Sequence, residues 1–210
     1  MMELASSIKI FVGILAIVNP LGAIPVFLSL CGERSPKEAS TIARVTALSV
    51  GLVLLISTWI GKPLLTFFGI GIPSFRTGGG LLILLMAIAM MHAKQSRAKR
   101  SPEEEEADSD KEDVAVVPLA IPLLAGPGAI SLVVVAGQQA ANLTDRILIS
   151  LCILAVAVIV WITLLLAEPI GKRLGTTGLN IATRIMGLLL SAIGIQMIAE
   201  GLKQLFPGLS

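Results

Sequence analysis

The chain has 210 residues, of which 55% are hydrophobic and only 14% charged; its mean hydropathy is +0.90 and its formal net charge +2. Soluble domains carry ~25% charged residues, so a soluble globule and a disordered chain are both excluded. The scattered basic residues and near-neutral balance exclude a nucleic-acid partner as well.

What remains is an all-α polytopic membrane protein. A span needs ~20 mostly apolar residues to cross ~30 Å of hydrocarbon. Backbone in lipid must satisfy its own hydrogen bonds, and the apolar runs here are continuous rather than alternating, which selects helices over a barrel. The first run is Ile10 to Gly32. It is expected to be an uncleaved first helix, because Glu3 precedes Lys9 and the run continues past Pro20 and Pro25. The second is Val45 to Gly61, and the third Thr77 to Ala93, with Arg76 at its start. Lys94 to Asp113 follows, basic and then acidic with almost nothing apolar; it is expected to be a disordered tether whose basic part lies against anionic headgroups. The fourth run, Val114 to Thr144, is too long for one span, and its polar tail from Gly137 reads as a loop. Ile147 to Ala167 is the fifth and Ile185 to Ala199 the sixth, with Arg184 at its start. Cys31 and Cys152 suggest packing thiols, with no disulfide framework and no metal site.

Lys and Arg in the loops after helices one, three and five outnumber those on the other side eleven to five. This predicts a cytoplasmic linker and both termini outside, in a bacterial inner membrane.

Segments about 106 residues apart look alike. Asn19-Pro20-Leu21-Gly22-Ala23-Ile24 faces Ala125-Gly126-Pro127-Gly128-Ala129-Ile130; Pro63 and Gly69 face Pro169 and Gly175; Arg76 and Gly79 face Arg184 and Gly187. Three helices per half, an odd number, oblige the second half to insert upside down. The expected organisation is residues 1–93 as one three-helix repeat, 94–113 as the linker, and 114–210 as the inverted repeat, a plan typical of secondary transporters.

The chemistry is expected where helices one and four break. An interior proline removes a helical hydrogen bond, and a neighbouring glycine frees the backbone. Such breaks are tolerated at membrane depth where protein buries them or they line a cavity. Fresh helices starting near Ala23 and Ala129 would aim their N-terminal dipoles inward, with Pro25 in a first turn. The candidate substrate-binding residues are therefore Asn19, Pro20, Gly22, Ala23 and Ile24 with Gly126, Pro127, Gly128, Ala129 and Ile130. Asn19 has two readings, as an amine ligand or as a cap. Arg76 and Arg184 are candidate gates, with Glu168 or Glu200 as partners; snorkelling to the headgroups is the simpler role. No HExxH, GxSxG or phosphate loop occurs, so no enzyme and no cofactor is expected.

The segments VNPLGAIPVFLSL, FGIGIPSFRTGGG, VVPLAIPLLAGPGAIS and TRIMGLLLSAIGIQMI resemble the MarC family of bacterial inner-membrane proteins. The resemblance runs in order along nearly the whole chain. It implies six membrane helices, a distant relationship to the LysE-type exporter superfamily, and, from some relatives, transport of small neutral amino acids. The residues and the resemblance together suggest a carrier of a small neutral or zwitterionic solute by alternating access, with the coupling ion, sodium or proton, left open. An uncoupled channel or a non-transporting scaffold or sensor are the alternatives. The partners are the lipid bilayer and the solute, and a homo-oligomer is compatible.

Overall fold

The computed structural model describes residues 4–31, 34–92 and 124–209. The linker 94–113 and the first part of helix four lie outside the described residues. Among those described, the regular structure is helical: α1 Leu4–Val18, α2 Pro20–Cys31, α3 Pro36–Phe67, α4 Ile72–His92, α5 Pro127–Gln139, α6 Leu143–Leu165 and α7 Ala167–Leu205, closed by a 3-10 turn at Pro207–Leu209. Five stretches are long and apolar enough to cross a membrane: Ser6–Cys31, Pro36–Phe67, Ile72–His92, Leu143–Leu165 and Ala167–Leu205. Of the fourth predicted helix, α5 alone is described. It is too short to span by itself, at ~1.5 Å of rise per residue over 13 residues.

Helix ends follow cap chemistry rather than hydropathy. α3 begins well ahead of the apolar run because Ser35 closes a capping box: its backbone N–H donates to Glu38 Oε2 at 2.9 Å, and its Oγ accepts from the Glu38 N–H at 3.4 Å. Pro36 fills the first helical position, where its missing N–H costs least. The end of α3 is a Schellman turn: the Ile70 N–H donates to the Leu65 carbonyl at 2.9 Å and the Gly69 N–H to Thr66 at 3.1 Å, with Gly69 at φ +67°. α6 likewise starts before its apolar run, capped by Asn142, whose Oδ1 accepts from the Asp145 N–H at 2.9 Å.

Three sequence expectations need correction. Arg184 does not open a helix: α7 begins at Ala167 and bends at Gly175 (φ 61°), leaving Arg184 within the segment after the bend. Arg76 is likewise inside α4, because Ile72 and Pro73 supply a helical turn ahead of it. The presumed loop from Gly137 is helical as far as Gln139, since Gly137 packs a helix face against α3.

α3 shows how one apolar helix divides its faces. Ala43, Ala47, Val50, Leu54, Thr58 and Gly61 are buried, whereas Leu48, Leu52, Ile56, Ile60 and Leu64 are exposed. Small and branched residues face the protein and large ones face lipid, the division expected where burial gains come from close backbone approach rather than from escaping water. α4 approaches α7 closely. A Cβ placed on Gly80 would stand 2.7 Å from the Gly194 carbonyl oxygen; one on Gly201 would stand 2.8 Å from that of Pro73. α3 lies on α5 and α6, and α1 and α2 lie on α6 and α7, whereas α3 and α4, joined by a short turn, hardly touch. Packing thus runs chiefly between the first and second halves of the chain. Gly69 and Gly175, a pair in the sequence alignment of the halves, are also the two glycines with positive φ among the described residues.

Candidate functional site

The first helix does break where its Asn-Pro-Leu-Gly sequence predicts. α1 ends at Val18, α2 starts at Pro20, and Asn19 between them has φ 46°, a left-handed conformation open to asparagine and disfavoured for most other residues. Two features set the break. Pro20 has no N–H to continue α1, and the Asn19 side chain rewards the turn: its Oδ1 accepts from the Gly22 N–H at 3.3 Å, alongside the Asn19 carbonyl at 3.1 Å. Asn19 therefore acts as a cap in this conformation. The new helix starts at Pro20 rather than Ala23, so Pro25 lies in its second turn and leaves the Leu21 carbonyl without its usual helical donor.

At the second motif a helix starts without a side-chain cap, and what precedes Leu124 lies outside the described residues. Gly126 is extended (φ −71°, ψ 174°), Pro127 takes the first helical position, and the Ile130 N–H returns to the Gly126 carbonyl at 3.1 Å. The two breaks adjoin: a Cβ on Gly128 would lie 3.7 Å from Ile17, two residues ahead of Asn19. Pro20, Ala23, Ile24, Gly126, Gly128 and Ala129 are buried; Asn19, Gly22 and Ile130 are partly buried, and Pro127 is exposed. The glycines leave no empty room in this conformation. The Asn19 amide fills the space a side chain on Gly22 would need, and Ile83 Cγ1 comes within 2.7 Å of the corresponding point on Gly128.

The two arginines differ sharply. Arg76 is 4% exposed, and its Nη1 donates to Glu200 Oε2 at 3.1 Å. Gln196 Nε2 donates to the other Glu200 oxygen at 3.0 Å. Arg76 is thus paired inside the protein rather than snorkelling, and Glu200 is the partner it takes. Its Nε has no hydrogen-bond partner among the described residues, and neither does the buried Gln138 Oε1; an unpaired buried polar atom is costly. Arg184 is exposed and forms no ion pair with another described residue, while Glu168 pairs with Lys172 at 2.6 Å.

Sequence reasoning missed Ser131, Gln138 and Gln196. Ser131 is buried against Gly79 of α4, and Gln138 shares its helical face two turns on. The available signal was a polar residue inside an apolar run, directly after the second break. Among the described residues no three His, Cys, Asp or Glu side chains gather as metal ligands would.

The family model described as "MarC family integral membrane protein" matches residues 4–206. The chain is 40% identical over 207 residues to a UPF0056 membrane protein of Buchnera aphidicola subsp. Acyrthosiphon pisum, covering 99% of this chain and 96% of that one. It is 39% identical over 201 residues to the UPF0056 membrane protein YhcE of Escherichia coli, covering 96% and 94%. A UPF0056 membrane protein of Methanocaldococcus jannaschii is 40% identical over 202 residues, covering 96% and 98%. No solved structure matches.

Proposed function

The chain belongs to the MarC family of integral membrane proteins and is a multi-pass membrane protein; we propose that it is a carrier of small neutral or zwitterionic solutes, small neutral amino acids foremost, working by alternating access. The observation that carries this reading is the helix break at Asn19 lying beside the helix start at Pro127, where Ile17 and Gly128 approach each other. Discontinuous helices at the midplane offer N-terminal dipoles to a carboxylate and free carbonyls to a cation. The second break suits the carboxylate better, because no side chain caps its N–H groups. At the first, Asn19 occupies the place beside Gly22, and its amide is the group a substrate would displace.

The reading treats residues 1–93 and 114–210 as inverted repeats joined by the 94–113 linker. In its favour, the packing keeps its pattern when the halves are exchanged. Helix two on helix four corresponds to helix five on helix one, and helix three on helix four to helix six on helix one. Helices two and five, and three and six, pack on their own counterparts. Rocking one set of helices against the other would move the two breaks together. Arg76 with Glu200 would close one face, and the exposed Arg184 marks the other. In this reading the protein sits in the inner membrane with both termini outside and moves its solute without transforming it and without a cofactor, the coupling ion, sodium or proton, being left open. The test is uptake of labelled glycine and alanine by proteoliposomes, with and without sodium and a pH gradient. Pro20→Ala, which restores a helical donor at the break, should slow uptake markedly in monodisperse protein. Wild-type uptake in that variant would place the path elsewhere.

A further inference from the structure

A pocket of about 360 Å³ opens at the end of the bundle opposite Arg76 and Glu200, a size in the range of small-molecule sites, ~300–1,000 Å³. Three walls make it. The last turns of α2 give Phe27 and Cys31, the start of α3 gives Ser40 behind Arg34, and the end of α6 gives Leu164 with Glu168 just beyond. Its lining is mostly apolar and includes one charged residue of each sign, Arg34 and Glu168. Arg34 stands just ahead of α3 and supplies the positive charge of that wall; the α3 N-terminus itself is already capped by Glu38. Glu168 makes the facing wall negative.

The position is as informative as the chemistry. Phe27 lies one helical turn beyond Ile24, which is fully buried beside the first break. From Asn19 to Phe27 the chain rises ~12 Å at ~1.5 Å per residue. Gly171 of α7 closes the flank so tightly that a Cβ there would stand 2.9 Å from Leu28. Phe27 is thus the pocket residue of α2 nearest the break, and the pocket stops short of it.

We propose that this pocket is a vestibule for a free zwitterionic amino acid, its carboxylate meeting Arg34 and its ammonium meeting Glu168; the assignment rests on the transport reading above. A fully cationic or anionic ligand would engage only one of these two charges. The apolar floor of Phe27 and Leu164 favours a small uncharged side chain. Lys172 holds Glu168 at 2.6 Å, but both are exposed, and such pairs are weakly held, so an incoming ammonium can replace it. A phosphatidylethanolamine headgroup carries the same two charges, and the experiment separates the two sources.

Cys31, in the pocket wall, is the reporter. The full chain with Cys152→Ala is labelled by a maleimide in detergent while L-alanine is titrated, against sodium acetate and methylammonium chloride as half-ligands. Alanine should slow Cys31 labelling at least threefold and the half-ligands should not. Arg34→Gln and Glu168→Gln should each abolish protection, while Lys37→Gln keeps it. In proteoliposomes the same two variants should raise KM for alanine several-fold at unchanged kcat. A second reporter, Ser40→Cys in a cysteine-free chain, should give the same pattern. Labelling indifferent to alanine at both reporters would overturn the proposal, as would equal protection in the rim variants. So would a Cys31 that reacts only after denaturation. Protection by phosphatidylethanolamine vesicles, and not by alanine, would give the site to lipid. Alanine protection without alanine flux would keep the site and sink the transport reading.

Discussion

Gly78, Gly79 and Gly80 are consecutive in α4 yet meet three different surroundings, which makes them a direct test of the packing. A Cβ on Gly78 meets nothing within 4 Å, and one on Gly79 meets the Ser131 side chain. One on Gly80 stands 2.7 Å from the Gly194 carbonyl oxygen and 2.9 Å from the Ile198 nitrogen. Heavy atoms rest at about 3.5 Å, so the Gly80→Ala methyl forces α4 and α7 apart by roughly 0.8 Å. Backbone cannot swing aside as a side-chain tip can, so the cost belongs at the upper end of the ~1–3 kcal/mol typical of overpacking. Both Gly78→Ala and Gly80→Ala gain the same helix propensity, about 1 kcal/mol, so their difference isolates the steric cost. Thermal unfolding in detergent should place Gly80→Ala about 5–10 °C below Gly78→Ala, at ~2–4 °C per kcal/mol for a chain of this size. Gly79→Ala should fall at least as low as Gly80→Ala, because the atom it meets first is the Ser131 Cβ, which is fixed to the α5 backbone. Equal midpoints for Gly78→Ala and Gly80→Ala would refute the glycine-mediated crossing of α4 and α7.

The half-buried ion pair predicts an asymmetry. Glu200→Gln strips the counter-charge from a buried Arg76, a loss of the kind that costs ~3–5 kcal/mol, whereas Arg76→Gln leaves a carboxylate that is 45% exposed and free to hydrate. Glu200→Gln should therefore unfold at the lower temperature of the two, and the reverse order would mean that Arg76 is solvated. At the first break, Asn19→Gly should be milder than Asn19→Ala. Both lose a cap worth ~1 kcal/mol, but only alanine also pays ~1–2 kcal/mol for φ 46°; equal midpoints would argue against the left-handed turn. For orientation, Ser109→Cys in a cysteine-free chain should resist an impermeant thiol reagent applied to intact cells, and labelling from outside would reverse the topology.

The breaks were legible in sequence because proline and glycine act locally. Pro20 and Pro127 each stop or start a helix whatever surrounds them, and the helix boundaries at Val18 and Pro127 follow. Hydropathy was a poorer guide to ends. Charged turns such as that around Lys37 and Glu38 are outside the apolar run but inside α3, because a capping box rewards helix in water as well as in lipid. Arg184 was misplaced for a similar reason. The polar residues from Lys172 to Asn180 looked like a connection, yet Gly175 bends the helix there without ending it. The Arg76–Glu200 pair was legible only as one of two options, Glu168 or Glu200. Its members are far apart in the chain, and only the α4–α7 crossing brings them together. Pairing the arginines by repeat symmetry pointed to equal roles, whereas position 92, where symmetry would place a counterpart of Glu200, is His92, which supplies no carboxylate for Arg184.

The central claim is alternating access by a carrier, and counterflow tests it most directly. Proteoliposomes of the wild-type chain are loaded with unlabelled alanine and diluted into a trace of labelled alanine, with gradients of sodium and protons collapsed. A carrier whose site faces one side at a time should drive transient accumulation of label above equilibrium, and raising internal alanine should speed entry. Label that only equilibrates, at a rate indifferent to internal alanine, would contradict alternating access and leave an uncoupled pore.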